Sequence, residues 1–165
     1  GKMSELNAAL GLLQLKHVGK AIARRQEIDA LYRALLADVK GIRVLTPAAD
    51  TVANYSYFPI LVEPDYPLSR DVIYQQMKDA GIHGRRYFYP LISEFPMYRG
   101  LPSASVAQLP VAKEISSKVI CLPIYPALCD EDVHRVANMI RQATAPQAAA
   151  PASSSQINVA AASVH

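Results

Sequence analysis

The densest concentration of chemically capable side chains is Gly84-Arg85-Arg86-Tyr87-Phe88-Tyr89-Pro90. Two arginines beside two tyrosines supply forked N–H donors for a phosphate or carboxylate, and flat faces for a base or a sugar. In an extended segment Arg86, Phe88 and Pro90 share one face, while Arg85, Tyr87 and Tyr89 share the other. The same residues also fit a plainer arrangement, with the aromatics in a core and the arginines at its rim. The residue types alone leave both open. A second basic array, Lys16, Lys20 and Arg24 at every fourth position with Arg25 adjacent, reads as a solvated helix face. A contact with a phosphate-bearing partner is its sharper alternative.

Other chemistry finds no footing. There is no Gly-rich phosphate loop, no HExxH, no CxxC and no Gly-x-Ser-x-Gly. His17, His83, His134 and His165 are scattered, Cys121 sits in an apolar run and Cys129 in a turn, so neither a metal site nor a disulfide is expected. A formal charge of +3 spread over 165 residues does not call for nucleic acid. No segment approaches the ~20 apolar residues of a membrane helix. The first residues form no signal peptide, so no membrane and a cytoplasmic location are expected. The sequence begins at Gly1 rather than Met, as expected of a processed chain or of one that starts within a longer protein.

The elements that must position these residues follow from periodicity. From Ser4 to about Asp38 there is no proline, and Leu6, Leu10, Leu13, Ile22, Ile28, Leu31, Leu35 and Leu36 recur mostly at three- and four-residue steps. This predicts one long amphipathic helix, with Gly19 as a point of kinking or division and Lys40-Gly41 as its stop. Strands are predicted at Ile42–Leu45, Tyr55–Val62, Ile82–Tyr89 and Val119–Ile124. Pro59 argues for an edge position or a bulge in the second of them. Ser69 predicts a helix from Arg70 to Ala80, and Ser103 or Ser105 one reaching Ser117, with Pro110 in or at its first turn. A last helix spans Asp130–Gln142. The order implies an α+β fold, a long N-terminal helix followed by a small, mostly antiparallel sheet with packed helices. The divisions are a helix over 1–40, a small α+β domain over 41–144 and an Ala/Ser/Pro tail over 145–165. The tail has no charged side chains and is expected to be disordered.

At this point the sequence resembles a known family. Lys2-Met3-Ser4-Glu5-Leu6-Asn7 through Leu15, Arg85-Arg86-Tyr87-Phe88-Tyr89-Pro90-Leu91, Pro96-x-Tyr98, Leu109-Pro110-x-Ala112-x-Glu114-Ile115 and Leu122-Pro123-x-Tyr125-Pro126 are similar, in order, to segments of the DegT/StrS-type sugar aminotransferases. The match runs over residues 1–144. It implies the interdomain helix and small C-terminal domain of a fold-type I transaminase that uses pyridoxal 5'-phosphate. Such an enzyme moves an amino group, usually from glutamate, to a keto-deoxysugar on a nucleotide diphosphate, for example a dTDP-4-keto-6-deoxyhexose, and works as a homodimer. Lys2 resembles the basic position that reaches into the neighbouring subunit's site. Arg85, Arg86, Tyr87 and Tyr89 resemble the strand bordering the sugar-nucleotide pocket.

The lysine that holds the cofactor precedes the Met-Ser-Glu motif in that family. The resemblance therefore implies that Lys2, Lys16 and Lys20 do not take that role. The isolated chain is then expected to carry no catalytic residue, to hold no cofactor covalently and to be inactive. Ile92-Ser93-Glu94 stands where many members carry a histidine, which hints at the subgroup making 4-amino-4,6-dideoxy sugars. A non-catalytic binding or dimerisation module derived from the family is the alternative.

Overall fold

Ser4 opens the first helix, α1 (Glu5–Leu15), its hydroxyl accepting from the Asn7 backbone N–H at 3.3 Å as an N-cap does. The computed structural model describes residues 1–142, so the expected tail over 145–165 lies outside the described residues. The single long helix of the sequence reading is two helices, for α1 closes and α2 (Val18–Leu36) begins after Lys16–His17. The amides of Lys16 and His17 turn back to Leu13 and Gln14, at 3.2 and 2.9 Å. These three-residue bonds tighten and end the first helix, so the division falls at Lys16–His17 and not at Gly19. Gly41 is no helix stop either, because α2 ends at Leu36. It takes φ +79° in the turn before β1, where its missing Cβ admits the Tyr66 backbone.

Three strands form the sheet: β1 (Ile42–Val44), β2 (Phe58–Val62) and β3 (Val119–Leu122), in that order, with both pairs antiparallel. Pro59 therefore lies in the central strand, contrary to the edge expectation. The ladder explains why it is tolerated. Cys121 spends its N–H and carbonyl on Arg85, so its pairing with Pro59 is not a hydrogen-bonded one. The proline nitrogen faces the other way, past Val44, where β1 has ended opposite Ile60.

The expected strand over Ile82–Tyr89 does not form. Only Arg85 pairs with Cys121, and the chain turns at Tyr87–Phe88. The helix expected from Ser103 or Ser105 is also shorter. Two 3-10 turns, Pro102–Ala104 and Val106–Gln108, precede α4 (Pro110–Lys118), which starts at its proline because a ring inside a helix would clash with the preceding turn. The other two helices begin where the sequence predicts. Ser69 accepts from Val72 N–H to start α3 (Arg70–Asp79), while Asp130, Glu131 and Asp132 fill the first turn of α5 (Asp130–Arg141).

The core lies on one sheet face. Phe58, Ile60 and Val62 of β2 with Ile120 and Leu122 of β3 pack against Ile28, Tyr32 and Leu36 of α2, Ile73 and Met77 of α3, and Val133, Val136 and Ile140 of α5. Tyr32 is 0% exposed; its ring lies 4.9 Å from that of Phe58 and its hydroxyl donates to the Pro123 carbonyl at 3.1 Å. Leu61, Val119 and Cys121 alternate onto the opposite face and are also buried. The α+β architecture expected from the sequence is the one observed. By contrast α1 buries none of its residues, and Leu6, Leu10, Leu12, Leu13 and Leu15 are exposed.

Candidate functional site

Cys121 fixes Arg85 by an exchanged pair of backbone hydrogen bonds, 3.0 Å from the Arg85 amide and 2.7 Å to its carbonyl. The arginine side chain folds along the segment, and Nη1 donates to the Tyr87 hydroxyl at 2.5 Å. The Tyr57 and Tyr87 rings meet edge to face at 5.0 Å. The neighbouring Tyr87 hydroxyl is the main cause that pushes the Tyr57 phenol above its ordinary value. This group borders a cleft of about 550 Å³ between the end of β3 and α5, lined by Tyr57, His83, Arg85, Tyr87, Asp132 and Arg135 among others. Cys121 also reaches it, but burial pushes its thiol up to about 11, so it is no nucleophile near neutral pH.

Arg86 and Tyr89 gather separately. Arg86 Nη1 donates to Asp71 Oδ1 at 2.9 Å, and its guanidinium lies 4.2 Å from the Tyr74 ring centroid and 5.0 Å from that of Tyr89. Arg70, 3% exposed, lies 4.6 Å over Tyr89 and donates to the carbonyls of Ser116 and Val119 at 2.9 and 3.1 Å. The expected grouping of Tyr89 with Arg85 and Tyr87 fails because the turn at Tyr87–Phe88 ends the strand alternation. Phe88 is left 73% exposed. Lys2 is exposed, does not line the cleft, and makes no hydrogen bond or ion pair among the described residues.

The structure thus joins Arg85 with Tyr87, and Arg86 with Tyr89. Sequence reasoning missed their partners. Arg70, Asp71 and Tyr74 carried a signal, since Tyr74 lies four residues from Arg70 and three from Asp71, spacings at which helix side chains meet. Tyr57, Asp132 and Arg135 carried none, because they arrive from the residue before β2 and from α5 only through the tertiary fold. Glu94 has a structural commitment: it accepts from the Leu91 amide at 3.1 Å and pairs with Lys113. The Lys113 ammonium, ahead of that amide, holds its carboxyl below the usual range.

No lysine lines the cleft. Lys118 is engaged with Glu63 and Glu114, at 3.0 and 2.7 Å, and Lys113 with Glu94. A pyridoxal phosphate held through a lysine does not fit this cleft. Among the described residues no helix is long and apolar enough to cross a membrane.

Comparison with known proteins gives this geometry a context. The model of the DegT/DnrJ/EryC1/StrS aminotransferase family matches residues 1–141. The chain is 51% identical over 140 residues to the dTDP-4-amino-4,6-dideoxy-D-glucose transaminase of Escherichia coli, covering 85% of this chain and 38% of that protein. It is 31% identical over 140 residues to the GDP-perosamine synthase of Vibrio cholerae, with 85% and 37% covered. The solved structure of DesI in the presence of its TDP-sugar product superposes with a TM-score of 0.76 at 32% identity, over 84% of this chain and 35% of that one. The chain therefore spans well under half the length of the relatives it matches.

Proposed function

Because the chain belongs to the DegT/DnrJ/EryC1/StrS aminotransferase family, we propose that it is the C-terminal portion of an enzyme that transfers an amino group from glutamate to a keto-deoxysugar on a nucleoside diphosphate. A dTDP-4-keto-6-deoxyhexose is the acceptor most in keeping with the 51% identity to the Escherichia coli transaminase. The observation that carries the reading is the edge made by Arg85, Tyr87 and Tyr57, where a forked cation and two phenols converge on one cleft.

In this reading Arg85 donates to the diphosphate, whose charge suits a planar two-pronged donor. Tyr57 and Tyr87 offer ring faces and hydroxyls to the sugar or base. Arg86 and Tyr89 form the neighbouring part of that edge, and Lys2 reaches toward the site of the second subunit of a cytoplasmic homodimer. Pyridoxal phosphate, bound by a lysine outside this chain, supplies the electron sink and carries the amino group. This chain binds and orients the sugar nucleotide and contributes no catalytic residue.

The test is transamination by the full-length protein, with dTDP-4-keto-6-deoxyglucose and glutamate, followed by chromatography of the amino-sugar nucleotide. Arg85→Ala should raise KM for the sugar nucleotide by roughly 10- to 100-fold, the size of a lost charge-assisted hydrogen bond. Absence of product from the unaltered protein would refute the reaction. An unchanged KM in Arg85→Ala would refute the assigned edge.

A further inference from the structure

Residues 86 to 90 have no backbone–backbone hydrogen bond among the described residues, since the ladder stops at the single Arg85–Cys121 pair. Something else must hold the segment that aims Arg85 and Tyr87 at the cleft. The contacts form a chain: Tyr74 to Arg86 at 4.2 Å, Arg86 to Tyr89 at 5.0 Å and Tyr89 to Arg70 at 4.6 Å. Asp71 Oδ1 serves both cations, 2.9 Å from Arg86 Nη1 and 2.8 Å from Arg70 Nε. The far end is anchored in the core, because the buried Arg70 bonds the carbonyls of Ser116 and Val119 at the junction of α4 and β3.

A guanidinium lying over two rings and bonded through Nη1 to a carboxylate is held in one place. We infer that Arg86, with Tyr74, Asp71, Tyr89 and Arg70, is a cation–aromatic clamp: Arg86 acts as a positioning residue that fixes the Arg85–Tyr87 edge. The inference rests on the reading of that edge as the substrate side.

The experiment uses the full-length protein with Tyr74→Leu, Tyr74→Phe and Asp71→Asn. Tyr74 lies on α3 behind Arg86, so its removal reports on the clamp. Tyr74→Leu should raise KM for the sugar nucleotide roughly 5-fold, the size of one cation–π contact, with kcat within about 2-fold of the unaltered enzyme. Tyr74→Phe keeps the ring and should restore KM, and Asp71→Asn, an exposed and isosteric change, should move KM in the same direction as Tyr74→Leu. Hydrogen exchange of residues 86–91 should quicken in Tyr74→Leu and not in Tyr74→Phe. A lowered melting temperature with KM and exchange unchanged would make the cluster merely structural and overturn the inference. So would a KM that rises in Arg86→Ala but not in Tyr74→Leu, which would make Arg86 a ligand contact. If the unaltered protein shows no transamination, the proposed reaction falls, while the exchange measurement still decides the clamp.

Discussion

Replacing Arg70 by methionine should destabilise the chain by roughly 2 kcal/mol, the balance of a large loss and a partial recovery. Arg70 Nη1 donates to both the Ser116 and Val119 carbonyls. Two hydrogen bonds from a charged donor contribute about 1.5–3 kcal/mol each, and methionine leaves both oxygens without that donor. Against this, Nε is buried without a hydrogen bond: it lies 2.8 Å from Asp71 Oδ1 but is not aligned with it. Methionine relieves that desolvated nitrogen, worth about 1–3 kcal/mol, and keeps most of the apolar stem. Urea denaturation should show a lower midpoint with an unchanged slope. Arg70→Lys should fall between the two, because a point charge reaches fewer carbonyls than a fork. A loss below about 0.5 kcal/mol in Arg70→Met, or a gain, would refute the view that the guanidinium holds this junction together.

Three further outcomes follow from local geometry. Gly41→Ala forces an alanine to φ +79° with its Cβ 2.4 Å from the Tyr66 amide nitrogen, and should cost more than about 2 kcal/mol in the same denaturation assay. Glu63 is held below the usual carboxylate range by Lys118 first and Arg43 second. Its contribution is complete above the ordinary glutamate range and fades as pH falls through the lowered value, so Glu63→Gln should flatten the acid limb of the stability profile. The Cys121 thiol, pushed up to about 11 by burial, should react with a disulfide reagent at neutral pH only after unfolding, and Cys129 should react in the native state.

Helices with their own punctuation were legible in the sequence. Ser69 and Gly81 bracket α3, and the acids at 130–132 begin α5. Elements whose limits depend on long-range pairing were not. Nothing local says that the strand pattern of Ile82–Tyr89 meets β3 at Arg85 alone, or that β1 stops one residue short of Pro59. The division at Lys16–His17 also lacks a glycine or proline to announce it. The site follows the same rule. Arg85 and Tyr87 stand out by type and spacing, whereas the partners that sort them from Arg86 and Tyr89 come from α3 and from Tyr57 just before β2. A two-residue alternation assigns Tyr89 to the wrong group once the backbone turns, and only the fold shows where it turns.

In the proposed function this chain supplies a substrate-binding edge, and the lysine that carries pyridoxal phosphate belongs to another part of the protein. Borohydride reduction of the full-length protein with pyridoxal phosphate, followed by peptide mapping, locates that lysine. The pyridoxyl group should fall on a lysine preceding Gly1, with none within residues 1–142. A stoichiometric pyridoxyl group on any lysine from Lys2 to Lys118 would contradict it.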